Sequence, residues 1–165
     1  MTARQDLFVS MALQAWNSYV NRTDEIFNGL SDEEMLKEIS PGRNSVVYIM
    51  GHLTAVNDRM LPLLGFGERA YPGLDHPFLS NPDHSGIEFP PMKELRAYWH
   101  ASNATLTHYF NAMSPHEWFQ RHNAVSEEDF SKEPHRNKLN VLINRTNHLS
   151  YHLGQIILVT PGAED

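Results

Sequence analysis

The stretch from Lys138 to Val159, KLNVLINRTNHLSYHLGQIILV, contains no proline and is long enough for several helical turns. Leu142, Leu149, Leu153, Ile156 and Ile157 recur at helical spacing, so one broad side is expected to be buried. Beside it runs a second line, Asn144, His148, His152 and Gln155. Its members sit three or four residues apart and stack on one helix face. A solvent-exposed face usually carries Lys and Glu, whereas this one carries two imidazoles and two amides. Histidines at i and i+4 let two ring nitrogens meet one metal ion. The line is therefore expected to face inward and to hold a metal with a third ligand from elsewhere. Buried polar packing is the competing reading, since a chain with 10 histidines often pairs two of them by chance.

A chain of 165 residues can bury a real core as one domain, and 1–165 is read as a single domain. No apolar run approaches the roughly 18–20 residues that cross a bilayer. The N-terminus, MTARQDLFVSMALQAW, lacks the basic start and apolar block of a signal peptide, so a cytoplasmic protein is expected. A net charge of −7 with no basic run argues against a nucleic-acid surface. There is no cysteine, which excludes disulfides, cysteine ligands and a cysteine nucleophile. Any thiol chemistry would need a thiol brought in by a partner molecule.

The pattern predicts four long helices. The first spans about Thr2 to Leu30, with an apolar line through Phe8, Ala12, Ala15, Tyr19, Ile26 and Leu30. Ser31 with Glu34 reads as a capping box for a short turn. Asn44 or Ser45 caps a second, amphipathic helix to Gly65, with Pro62 kinking its last turn. His52 lies at the edge of its apolar stripe. Gly67 to Pro91 is one long irregular segment that could form part of a pocket wall; His76 and His84 within it are expected to face water. A third helix runs from Pro91 or Met92 to about Met113, with His100 and His108 on its surface. Gln120 to Arg136 is polar and expected to be irregular. Thr160-Pro161-Gly162 ends the last helix, with frayed residues after it. The fold class is all-α, an up-and-down four-helix bundle with short extra helices and one long loop.

Pro41-Gly42-Arg43-Asn44-Ser45-Val46 through Gly51-His52-Leu53, followed by His148-Leu149-Ser150-Tyr151-His152-Leu153-Gly154-Gln155-Ile156, resembles the DinB-like family. The family's final helix is written H-x-x-x-H-x-G-Q, and both the order of the blocks and the gap between them fit. The resemblance runs from about Leu7 to Val159 and is weakest over 67–91 and 120–136. It implies a bundle of the DinB/YfiT-like type with one divalent metal on three histidines. Carried over residue by residue, these are His52, His148 and His152. Relatives include thiol-dependent transferases and isomerases, and the family metal varies; zinc or nickel leads here, ahead of manganese or iron.

Three neutral imidazoles would leave such an ion at least one open position. A bound water would have its pKa drawn toward about 7, and a bound thiol would be held as thiolate. The three ligands alone do not choose between these. The HExxH glutamate is missing, because Leu149 follows His148. Gln155, Asn144 and Asn57 are candidates to orient the imidazoles or line the pocket. Arg59 could meet an anionic substrate or form a surface salt bridge, and Tyr48 and Tyr151 could line the pocket or pack in the core. Three readings stand: a metal-dependent enzyme, either a thiol S-transferase or a small-molecule hydrolase; a non-catalytic, stress-related bundle that binds metal or ligand; and a structural bundle. A small-molecule substrate, possible use of a low-molecular-weight thiol and a homodimer are expected, with no nucleic acid or membrane partner.

Overall fold

The structure, a computed structural model, describes residues 3–160. In chain order its helices are α1 (Ala3–Gly29), α2 (Asp32–Met35), α3 (Val46–Asp58), α4 (Met60–Leu64), α5 (Asp75–Phe78), α6 (Met92–Ala112), α7 (Glu127–Lys132) and α8 (Lys138–Ile156). The bundle expected from periodicity is what the chain forms, and no strand occurs among the described residues. No described helix is long and apolar enough to cross a membrane. The start expected at Thr2 and the stop at Pro161 and Gly162 lie outside the described residues.

Polar caps set the helix starts. Ser31 and Glu34 form the capping box, Ser45 accepts from the Tyr48 amide, and Asn137 accepts from the Asn140 amide. Ser126 does the same for Asp129, which starts α7 inside the segment expected to be irregular. That segment lacks an apolar stripe, so its local cap was the only signal. The second long helix breaks at Arg59. Pro62 has no N–H for the carbonyl of Asp58, four residues back, and the helix is interrupted there. Gly65, at φ 80°, closes α4 in the left-handed conformation.

Contacts between helices fix their directions. Phe27 packs on Trp99 and Trp16 on Phe110, so α1 and α6 run antiparallel. Asn57 bonds Asn103 while Phe66 stacks on Tyr109, so α3–α4 and α6 run parallel. The Asn123 amide bonds the Leu63 carbonyl and the Lys138 amide bonds the Gln120 carbonyl. The start of α8 thus lies near the end of α4, and α8 runs antiparallel to α3. The order of directions is up, down, down, up, and not the alternating up-and-down order expected from the sequence. The long 65–91 connection makes this order possible by returning the chain to the starting end.

Every residue of α3 except His52 is buried. The expected amphipathic helix is instead the central one, covered by α6, α8 and the α5 segment. On α1 the buried seam is Val9, Trp16, Thr23, Phe27 and Leu30, with Leu13 and Val20 filling the three-four rhythm. The expected line lies one step round the helix, and its Phe8 and Ala15 are exposed. Trp16 packs on Phe110 and Phe27 on Trp99, which fixes this face against α6, while Phe8 stays exposed.

Candidate metal centre

His52 is the one opening in the buried surface of α3. His148 and His152, one turn apart on α8, face it. His148 Nε2 lies 3.2 Å from His52 Nε2 and 3.1 Å from His152 Nε2. The three ring centroids are 4.7–5.1 Å apart, and the rings are inclined to one another by 66–83°. Each ring thus points an edge at a common centre.

The far side of two rings is held. His52 Nδ1 is 3.0 Å from the Phe78 carbonyl oxygen. A carbonyl only accepts, so Nδ1 carries the proton and Nε2 keeps its lone pair. His152 Nδ1 is 2.7 Å from Gln155 Oε1 and, donating to it, is fixed in the same tautomer. Lone pairs therefore converge where a cation would sit. Metal–imidazole bonds of about 2.0–2.1 Å at tetrahedral angles put ligand nitrogens roughly 3.3–3.4 Å apart. The observed separations lie just inside that, so the donor set fits one ion.

The electrostatics agree. Burial, reinforced by the charges of the other two histidines, pushes the His148 imidazole down to about 4. Burial likewise brings His152 to about 4, against the opposing Gln155 bond. His52 is lowered by burial, which outweighs its bond to Phe78. All three are neutral at pH 7, the form that binds a metal.

The model of the DinB superfamily matches residues 18–156, which span most of α1 through α8 and contain all three histidines. The chain belongs to the DinB superfamily. No curated protein matches it. For this DinB chain the histidine cluster sits where the family resemblance puts its ligands, and the cluster is compatible with a metal site.

The remaining candidates divide. Gln155 touches His152 directly. Asn57 donates to Asn103 Oδ1, 3.0 Å away on α6, on a different side of α3 from His52. Asn144 is exposed on α8. Tyr48 is buried, stacks on His52 with ring centroids 6.4 Å apart, and donates to the Asn81 carbonyl. Tyr151 is exposed and meets His152 edge-on. Arg59 pairs with Asp75 at 2.6 Å. His76, His84, His100 and His108 are all exposed.

Two participants had no place in the sequence reading. Phe78 acts through its backbone carbonyl, which no side-chain pattern announces. Its ring packs on Gly51, where an added Cβ would lie 2.6 Å from the ring Cδ1 and closer still to Cε1 and Cζ. Arg145 is part-buried on α8, and its charge lowers both His52 and His148. Its spacing, three residues before His148, was the available signal.

Proposed function

We propose that the chain is a divalent-metal-dependent enzyme. His52, His148 and His152 hold one divalent ion, zinc or nickel by family resemblance, and leave a position for a small thiol. The observation that carries this reading is the meeting of three Nε2 atoms while Nδ1 of two rings is engaged by Phe78 and Gln155. When bound, the ion supplies the positive charge that keeps a thiol in its nucleophilic thiolate form near neutral pH.

The chain's own residues do the rest. The Phe78 carbonyl and Gln155 orient two imidazoles, which supports ligand geometry and basicity. Burial keeps all three rings neutral, so no proton has to leave them before binding. Tyr48 and Tyr151 flank the cluster with aromatic surface. In the transfer itself, sulfur forms a bond to an electrophilic carbon. The leaving group departs with its bonding pair, and the thiol proton passes to solvent. Hydrolysis of the helical zinc-protease kind would call for a general base beside the site. Leu149 stands where a helical zinc protease carries glutamate, and no carboxylate among the described residues hydrogen-bonds the three rings. Thiol transfer is therefore favoured over base-assisted hydrolysis.

The test is the metal content of untagged protein purified without chelator, beside His52→Ala, His148→Ala and His152→Ala. Near one equivalent in the parent and a large loss in each variant are expected. The loaded parent should then speed alkylation of a small thiol, and the variants should not. No metal after dialysis against zinc, nickel and manganese overturns the reading. Metal bound without any thiol reaction leaves a binding bundle.

A further inference from the structure

Arg145 lies three residues before His148 and seven before His152, so it shares their side of α8. Its Nε is buried without a hydrogen-bond partner. Among the described residues no carboxylate pairs with its guanidinium, and Arg59 is the one charge that acts on it. The residue is only half-buried and its guanidinium opens on a cleft, so a ligand seated there would meet free donors.

Arg145 borders a cleft of about 420 Å³ lined by Arg59, Pro62, Leu63, Asn123, Ala124 and Arg145. Arg59 lies seven residues after His52, on the same side of its helix line. The local charges do not cancel. Arg59 and Arg69 bind Asp75, and Arg69 also binds Asp58. Three arginines thus stand against two carboxylates, and the surplus charge falls on Arg145. This is a local exception in a chain of net charge −7.

We infer that Arg145, with Arg59 across the cleft, forms a carboxylate-binding subsite for a small organic acid, one to two helical turns from His52, His148 and His152. The reacting end of that acid rests on the metal-enzyme reading above; the subsite itself does not. A planar guanidinium fork matches a carboxylate with two parallel bonds. One surplus positive charge suits a monoanion better than a phosphate dianion. Pro62, Leu63 and Ala124 offer apolar wall to a short carbon chain.

The test follows the Arg145 Nε–H resonance by NMR, assigned by its loss in Arg145→Lys, together with the backbone amides of Leu63, Asn123 and Ala124, which report binding in the parent and in the variants alike. Butyrate, its neutral counterpart butyramide and inorganic phosphate are titrated into metal-free and zinc-loaded protein. Butyrate is expected to bind at least about tenfold more tightly than butyramide in both forms, the size of one charge-assisted bond. Arg145→Gln should erase the preference while keeping the parent's melting temperature and zinc content, and Arg145→Lys should retain part of it. Equal binding of the two ligands, no binding of butyrate, or a preference that survives in Arg145→Gln overturns the subsite. Phosphate binding tighter than butyrate overturns the carboxylate assignment. The metal-free arm separates the two readings: a chain that binds no zinc yet prefers butyrate loses the metal centre and keeps the subsite.

Discussion

Gly51→Ala is a small change that reaches the metal centre through packing alone. An added Cβ would overlap the edge of the Phe78 ring, where Cδ1 lies 2.6 Å from it. The ring cannot swing away. It is fully buried, and it is braced by Tyr48 at 5.8 Å and Phe89 at 4.7 Å between centroids. Overpacking of this kind costs about 1–3 kcal/mol. Alanine in place of an interior helical glycine returns about 0.8–1.0 kcal/mol. The net effect on folding is a loss of roughly 0–2 kcal/mol. The larger effect is on the site. Phe78 must retreat from α3, and its carbonyl retreats with it from His52 Nδ1. Loss of such a partner typically weakens metal binding roughly 10–100-fold. Chelator competition gives the zinc affinity, and thermal melting gives the stability. Adding Phe78→Leu removes the aromatic ring and should recover part of the lost affinity. A Gly51→Ala protein that binds zinc like the parent and melts no lower would refute the reasoning.

Gln155→Leu keeps the helix and removes the acceptor for His152 Nδ1. Zinc affinity should fall roughly 10–100-fold, and a change under about twofold would reduce Gln155 to packing. Asn57→Ala leaves Asn103 Oδ1 without its donor. Urea unfolding should show a loss of about 1–3 kcal/mol with zinc affinity unchanged, and a matching loss of zinc would bring Asn57 into the site. His148 and His152 are held near 4 in the folded metal-free chain, while unfolded histidine titrates near 6.5. Between these values the unfolded state binds more protons, so stability falls as pH drops from about 6.5 toward 4 and is level above that window. Both rings keep some contact with solvent and each other, so the slope should be below the roughly 2.7 kcal/mol per pH unit that two isolated, fully buried groups would give together. A urea midpoint that stays constant across the window would contradict the low values.

What the sequence disclosed depended on where the information sits. α8 and α6 were legible because each buries one stripe and exposes another, which periodicity detects. α3 defeated that test in part. Its residues are buried on every side, so apolar positions fill the whole helix and the stripe loses its edges. On α1 two neighbouring apolar lines are available, and the partners Phe110 and Trp99 on α6 select the one through Trp16 and Phe27, which no pattern within α1 discloses. The histidine pair on α8 was readable from spacing within one helix, and family resemblance supplied His52. The Phe78 carbonyl could not be read at all, since a backbone acceptor leaves no mark on residue type. Gly51 beside His52 was its only trace.

Arg145 and Arg59 depend on topology rather than on residue type. Each lies seven residues from a histidine, which is about 10 Å along a helix axis. Arg59 follows His52, whereas Arg145 precedes His152. On parallel helices whose histidines meet, these arginines would be displaced in opposite directions, roughly 20 Å apart along the axis. On antiparallel helices they fall in one layer, and both line a single cleft. The direction of α3 against α8 is therefore what converts two scattered arginines into a pair. That direction follows from the long loop, because a short turn after α4 would have sent α6 back antiparallel to α3. With α1 antiparallel to α3, α8 would then have run down its neighbour in the alternating order, parallel to α3. The 65–91 segment thus serves the site twice. It supplies the carbonyl that fixes His52, and by its length it sets the order of helix directions that brings the two arginines into one layer.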